Sequence, residues 1–180
     1  MTDRVRGPIV WFTGRPASGK STLAQALRPI LEARRPVEIL DGDEVRAWLS
    51  DDLGFSRADR DRNIARIAQV ACLLARNGVA VLVAAVSPYA AARAQARALA
   101  DSQAIPFFEV FVSLPLAVAT QRDPKGMYQQ AQVGQIPNFT GVSDPYEEPD
   151  HPDLVIHTDA ETVMASTDHV VAALRARGLL

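Results

Sequence analysis

The run Gly14-Arg15-Pro16-Ala17-Ser18-Gly19-Lys20-Ser21 meets the spacing G-x-x-x-x-G-K-[ST] at every fixed position, and each fixed residue type has a physical reason to be there. Glycine lets consecutive backbone N–H groups turn inward around phosphate oxygens, and a helix beginning at the end of the loop adds partial positive charge at the same spot. Lys20 is placed to neutralise β and γ phosphates. The Ser21 hydroxyl suits Mg²⁺, a cation that takes a few protein oxygens alongside waters and phosphates. ATP with Mg²⁺ is the ligand this loop predicts, with Gly14 through Thr22 as the phosphate-binding residues.

A second charged group is Asp41-Gly42-Asp43. On an extended backbone a spacing of two puts both carboxylates on one side. At a strand end beside the phosphate loop, a carboxylate can accept the proton of an attacking hydroxyl, and the loose transition state of phosphoryl transfer makes orientation its main task. Asp43 is the candidate for that role, and Asp41 for holding the metal and its waters beside Ser21. The competing reading is a plain Asp-Gly-Asp turn. Spacing alone favours neither.

Such groups need a scaffold that gathers strand ends. Five short apolar segments read as strands: Ile9 to Thr13, Val37 to Asp41, Val79 to Ala85, Phe107 to Ser113 and Asp153 to His157. The first and third show no polar alternation, as expected of parallel strands covered on both faces. Between them lie helical patterns. The clearest starts after Ser56 as N-cap, carries the stripe Ile64, Ile67, Ala71 and Leu74, and stops at Gly78. Arg60 and Asn63 fall off that stripe. Further helices are expected to begin at Ser87-Pro88 and at Pro115, and to span Glu161 to Ala176. Pro29 interrupts the segment Lys20 to Arg34 and predicts a kink or two shorter pieces. Ile136 to Pro152 reads as a long surface loop. The pattern predicts one α/β domain over residues 1–180, a five-stranded parallel sheet with helices on both faces and ligands at the carboxyl ends of the strands.

Composition narrows the function further. With 48% apolar and 22% charged residues in 180, the chain is neither disordered nor fibrous. A formal charge of −2 with dispersed basic residues provides no footprint for nucleic acid. Cys72 is the single cysteine, which rules out an intrachain disulfide and a multi-thiolate metal site and fits a reducing cytoplasm. The start, Met1 to Gly7, is polar, and no apolar run approaches the ~20 residues of a membrane span.

Longer motifs carry a resemblance. Leu40 to Arg46, Asp52-Leu53-Gly54-Phe55-Ser56, Asp59-Arg60, Asn63-Ile64 and Ser87-Pro88-Tyr89 occur in order. Gln121 to Gly126, Asn138-Phe139-Thr140-Gly141 and Asp144-Pro145-Tyr146-Glu147 follow. From about Val10 to Thr158 the chain resembles the adenylylsulfate kinases, P-loop kinases that use ATP to phosphorylate the 3′-hydroxyl of adenosine 5′-phosphosulfate. The resemblance implies that Arg46, Arg60 and Asn63 hold the phosphosulfate and ribose of that acceptor, where guanidinium forks suit oxyanions. It implies that Phe55 and Phe139 sandwich the adenine, although either ring reads equally as core. It implies that Arg122 and Lys125 bind ATP at the start of a lid, about 122–148, that closes over the nucleotide, where the plainer reading is a solvated charged loop. Ser87 matches a serine given a phosphoenzyme role in some descriptions of the family, and a helix N-cap explains it as well. A homodimer, and association with a sulfate adenylyltransferase, are also implied.

The chain departs from the family pattern at Pro16-Ala17, Ala65, Ser113 and Gln129-Gln130, the last two standing where lysines are common after the lid tyrosine, here Tyr128. The alternatives are a P-loop kinase for another hydroxyl acceptor, such as a nucleoside, nucleotide or sugar acid, and a nucleotide-binding module without catalysis. Arg46, Arg60 and the phenylalanine pair weigh against the first; intact Lys20, Ser21, Asp41 and Asp43 weigh against the second.

Overall fold

The computed structural model describes residues 5–180. Of the polar start, Met1 to Arg4 lie outside the described residues. Five parallel strands form one sheet in the order β2-β3-β1-β4-β5. They are β1 (Ile9–Thr13), β2 (Val37–Asp41), β3 (Ala80–Ala84), β4 (Phe107–Ser113) and β5 (Leu154–His157). The predicted fold class is therefore observed. β1 sits between β3 and β4, with Trp11 opposite Val83 on one side and Glu109 on the other.

The described residues form seven helices, six between strands and the last after β5: α1 (Lys20–Glu32), α2 (Gly42–Leu49), α3 (Arg57–Ala75), α4 (Ala90–Ser102), α5 (Leu116–Arg122), α6 (Met127–Gln132) and α7 (Val163–Ala176). The two-residue period of β1 explains the layering. Ile9 and Trp11 face a core with Ile64, Ile67 and Ala71 of α3 and Ala92 and Ala96 of α4. Val10 and Phe12 face Leu23 and Leu27 of α1 and Val170 and Leu174 of α7. Both sheet faces are thus dry, which is why β1 and β3 lack polar alternation. A third, smaller cluster unites Leu114, Ala119, Tyr128, Ala131 and Phe139, packing the 122–148 segment against α5 and the residue pair that leads into it from β4.

Some expectations need correction. α1 runs unbroken through Pro29 and is not split in two. Pro29 and, one turn before it, Gln25 are both exposed, so the Gln25 carbonyl left without its helical donor is open to water, and the break costs less than in a buried helix. Asp41-Gly42-Asp43 is neither extended throughout nor a simple turn. Asp41 ends β2 and caps α2, its side chain accepting the Asp43 backbone N–H. The helix placed at Ser87-Pro88 begins at Ala90 with Tyr89 as N-cap, so Ser87 is not a helix cap. Ser56 does cap α3, accepting from the Asp59 N–H at 3.2 Å. No helix among the described residues is long and apolar enough to cross a membrane.

Candidate active site

The phosphate loop leaves the carboxyl end of β1 and enters α1. A Cβ on Gly14 would lie 2.4 Å from the Val112 carbonyl oxygen, so only glycine lets the loop pass so close to β4. Gly19 takes φ 95°, a left-handed conformation that aims the N-terminus of α1 into the loop. Lys20 is buried and folds back on the loop, its Nζ donating to Gly14 O (2.9 Å), Arg15 O (2.8 Å) and Ser18 Oγ (3.3 Å). Burial pushes this ammonium down from 10.5 to about 8, against the opposing pull of Asp41 and Asp43. A cation disfavoured by desolvation is one that an incoming anion stabilises strongly.

Ser21, in the first turn of α1, donates its hydroxyl hydrogen bond to Asp41 Oδ2 at the end of β2. A hydroxyl and a carboxylate in contact form an all-oxygen donor pair, which suits Mg²⁺ shared with phosphates. No group of three or more His, Cys, Asp or Glu among the described residues is gathered to hold a metal by side chains alone. Asp43 stands one step further along α2, exposed, and pairs with Lys125 at 2.5 Å. That pair joins the candidate base to the 122–148 segment, and the carboxylate raises the Lys125 pKa by its hydrogen bond and its charge.

Opposite the loop, two guanidinium groups converge on one ring. Arg46 lies over Phe55 with its Cζ 4.3 Å from the ring centroid, and Arg60 lies at 5.6 Å. Arg46 also donates to Leu53 O (3.1 Å) and Gly54 O (2.8 Å), while Arg60 donates to Phe55 O (3.1 Å) and to Asn138 O. Burial, and then the charge of Arg60, lower the Arg46 pKa. Two crowded cations of this kind favour an anion between them. Phe55 is 53% exposed, whereas Phe139 is 4% exposed and packs edge-on against Tyr128 at 5.0 Å. Asn63, 8% exposed, has its Oδ1 without a hydrogen-bond partner, as has the buried Thr140 Oγ1.

One cleft of about 430 Å³ runs between these halves. Pro16, Ala17 and Gly19 to Thr22 line it, together with Asp41 and Asp43. Arg46, Phe55, Arg60, Asn63, Ser87, Lys125 and Phe139 face them across it. The structure does not bring every predicted residue there. Arg15 turns away, forming an ion pair with Glu148 at 3.0 Å and lying over Tyr146. Arg122 donates to Thr158 O and Oγ1, and Thr158 Oγ1 donates to Ser18 O at 2.9 Å, so Arg122 braces the loop from behind. Gln129 and Gln130 are exposed on α6 and outside the cleft lining. Ser87 is 1% exposed at φ 41°; its hydroxyl accepts from Trp11 Nε1 (3.0 Å) and donates to Ala85 O (3.1 Å).

Sequence reasoning misses Thr140 as a cleft residue, although it follows Phe139 directly, and finds in Tyr128 only a landmark. The Tyr128 hydroxyl donates to Pro16 O at 3.1 Å and so ties α6 to the phosphate loop. Tyr146 has a comparable tie, its hydroxyl meeting Thr13 Oγ1 at 2.8 Å. Burial pushes that phenol up to about 12. Nothing local signals these two ties, since each depends on a contact more than a hundred residues away.

Comparison with known proteins agrees with this geometry. Residues 6–157 match the family model described as adenylylsulphate kinase. An adenylyl-sulfate kinase of Myxococcus xanthus is 54% identical over 177 residues, covering 98% of this chain and 96% of the relative. A probable bifunctional SAT/APS kinase of Sorangium cellulosum is 50% identical over 96% of this chain, which spans 29% of that larger relative. The solved structure of the Mycobacterium tuberculosis APS kinase CysC in complex with AMPPNP and APS has a TM-score of 0.91 at 44% identity, covering 94% of this chain and 98% of that one.

Proposed function

Since the chain belongs to the adenylylsulfate kinase family, we propose that its cleft transfers the γ-phosphoryl group of ATP to the 3′-hydroxyl of adenosine 5′-phosphosulfate. The products are 3′-phosphoadenosine 5′-phosphosulfate and ADP, the former being the activated sulfate used in assimilation. The observation that carries this reading is the meeting, in one cleft, of the phosphate loop with a guanidinium pair stacked on an exposed phenylalanine.

Loop N–H groups and Lys20 hold the triphosphate, and Lys20 exchanges its loop carbonyl partners for phosphate oxygens. Mg²⁺, when bound beside Ser21 and Asp41, supplies charge neutralisation for the β and γ phosphates. Asp43 accepts a hydrogen bond from the 3′-hydroxyl, directs its oxygen at the γ-phosphorus and takes its proton as the bond forms. Lys125 engages Asp43 through Oδ2 alone, which leaves Oδ1 to the 3′-hydroxyl and ties the base to the lid over 122–148. Arg46 and Arg60 hold the phosphosulfate, Asn63 the ribose, and Phe55 and Phe139 take the adenine between them. Ser87 shapes the acceptor wall, and direct in-line transfer needs no covalent intermediate on it.

The same membership supports a homodimer and a reducing cytoplasmic setting, with residues 1–180 acting as one catalytic domain. Association with a sulfate adenylyltransferase draws support from the relative whose name joins both activities in one chain.

The test incubates purified protein with Mg·ATP and adenosine 5′-phosphosulfate and follows ADP release, with nucleosides, nucleotides and sugar acids as control acceptors. Stimulation by the phosphosulfate alone is expected. ADP release at the level of background hydrolysis with that acceptor would refute the assignment, and stimulation by a control would redirect it.

A further inference from the structure

The geometry points to Arg93 as a positioning residue that sets the acceptor side of the cleft by tying the Val86–Pro88 wall to the trailing end of the 122–148 segment. Arg93 itself does not line the cleft. It lies on α4, 3% exposed, and each nitrogen of its guanidinium has a different partner. Nη1 donates to Ser87 O at 2.7 Å and Nη2 to Glu147 O at 2.7 Å. Nε stands 3.0 Å from Glu109 Oε1 on β4, as an ion pair not aligned as a hydrogen bond, since that oxygen has no hydrogen-bond partner. A planar fork with fixed N–H directions holds three partners at set distances, which a flexible ammonium cannot do.

What it holds bears on the acceptor. Val86, Ser87 and Pro88 line the cleft. Ser87 takes φ 41°, a left-handed conformation that strains a non-glycine residue. Such strain persists only where surroundings impose it. Here the Ser87 carbonyl receives Arg93 and, at 3.4 Å, the Thr13 hydroxyl, while the Ser87 side chain is gripped by Trp11 and Ala85. The other tie, Glu147, is held in three further ways, to the wall at Pro88, to the start of α4 and to the start of α3. Its N–H donates to Pro88 O at 2.8 Å, its Oε2 accepts the Ala90 N–H at 2.7 Å, and its Oε1 meets Arg57 at 3.3 Å. Three residues before it, Asp144 accepts from Tyr89 at 2.6 Å and lies 3.8 Å from Arg60. Arg93 thus closes a loop of contacts from the wall to the segment that carries Phe139 and back to Arg60. Both Phe139 and Arg60 face the acceptor half, and neither belongs to the phosphate loop.

This inference rests on the proposed acceptor half, and its test separates the two. Arg93→Lys keeps the charge opposite Glu109 but cannot span both carbonyls. Steady-state kinetics should show KM for adenosine 5′-phosphosulfate raised by about tenfold, with KM for ATP within about twofold of the parent. Hydrogen exchange should quicken about tenfold at the Glu147 and Ala90 amides, yet stay unchanged at Trp11 in β1. An equal change in both KM values, or unaltered exchange at Glu147, would overturn the proposal. If the parent protein does not use the phosphosulfate, the functional reading fails by itself, and the exchange measurement decides the role of Arg93. Should Arg93→Lys not fold, the double variant Arg93→Met, Glu109→Met removes the fork without stranding a buried charge, and the same two readouts apply.

Discussion

Replacing Lys20 by methionine separates what this residue costs the fold from what it contributes to nucleotide binding. Burial lowers the ammonium from 10.5 to about 8 in the nucleotide-free protein, a difference equivalent to about 3 kcal/mol between folded and unfolded chains. Because the folded value is the lower one, the unfolded chain retains a proton that the folded chain releases between pH 8 and 10.5. Stability therefore rises with pH across that window, and below it the full cost of the buried charge is present. Between about pH 7 and pH 10 the wild type should gain about 2–3 kcal/mol relative to Lys20→Met. Urea unfolding of both proteins at the two pH values measures this, and taking the difference between them cancels the titration of groups they share. The absolute stability of the variant is a weaker guide, because methionine also leaves the Gly14 and Arg15 carbonyls without their donor. Phosphate should return the proton: near pH 9, ATP binding should take up protons in the wild type and not in Lys20→Met, read by calorimetry in buffers of different ionisation enthalpy. A difference in stability that stays flat from about pH 7 to 10 would refute the account of Lys20 as a desolvated cation awaiting an anion.

Other consequences follow from the same geometry. Asp43→Asn keeps the shape but cannot take a proton, and turnover should fall by about a hundredfold or more while ATP affinity, measured by titration, stays within a few-fold. Phe139→Ala removes a buried ring from the small cluster around Tyr128 and should destabilise by about 3 kcal/mol or more in urea unfolding. Phe55→Ala, at an exposed ring, should leave the melting temperature nearly unchanged yet raise KM for the acceptor. Lys125→Met breaks an exposed pair with Asp43; its unfolding free energy should match the parent within about 0.5 kcal/mol, while KM for ATP rises.

The sequence by itself determined the parts of this protein that depend on local rules. Short apolar, β-branched or aromatic segments marked β1, β2 and β4 at their observed bounds, and β1, buried at every position, shows the uninterrupted apolar run of a strand covered on both faces. The phosphate loop was legible for a related reason, since its glycines, lysine and serine act within eight consecutive residues. Ser56 was legible as a cap because its partner is three residues away. Local rules allowed a split at Pro29 that α1 does not show and placed a helix start at Ser87 that lies at Ala90. Whether a missing N–H matters depends on which side of α1 faces water, and whether a serine caps a helix depends on where its chain is pulled. Tertiary structure alone decided that Arg15 and Arg122 turn from the cleft, that Phe55 is open while Phe139 is packed, and that Arg93 joins Ser87 to Glu147. Each is a contact between residues far apart in the chain, and side-chain direction there is set by the packing of whole elements, which residue type and spacing do not encode.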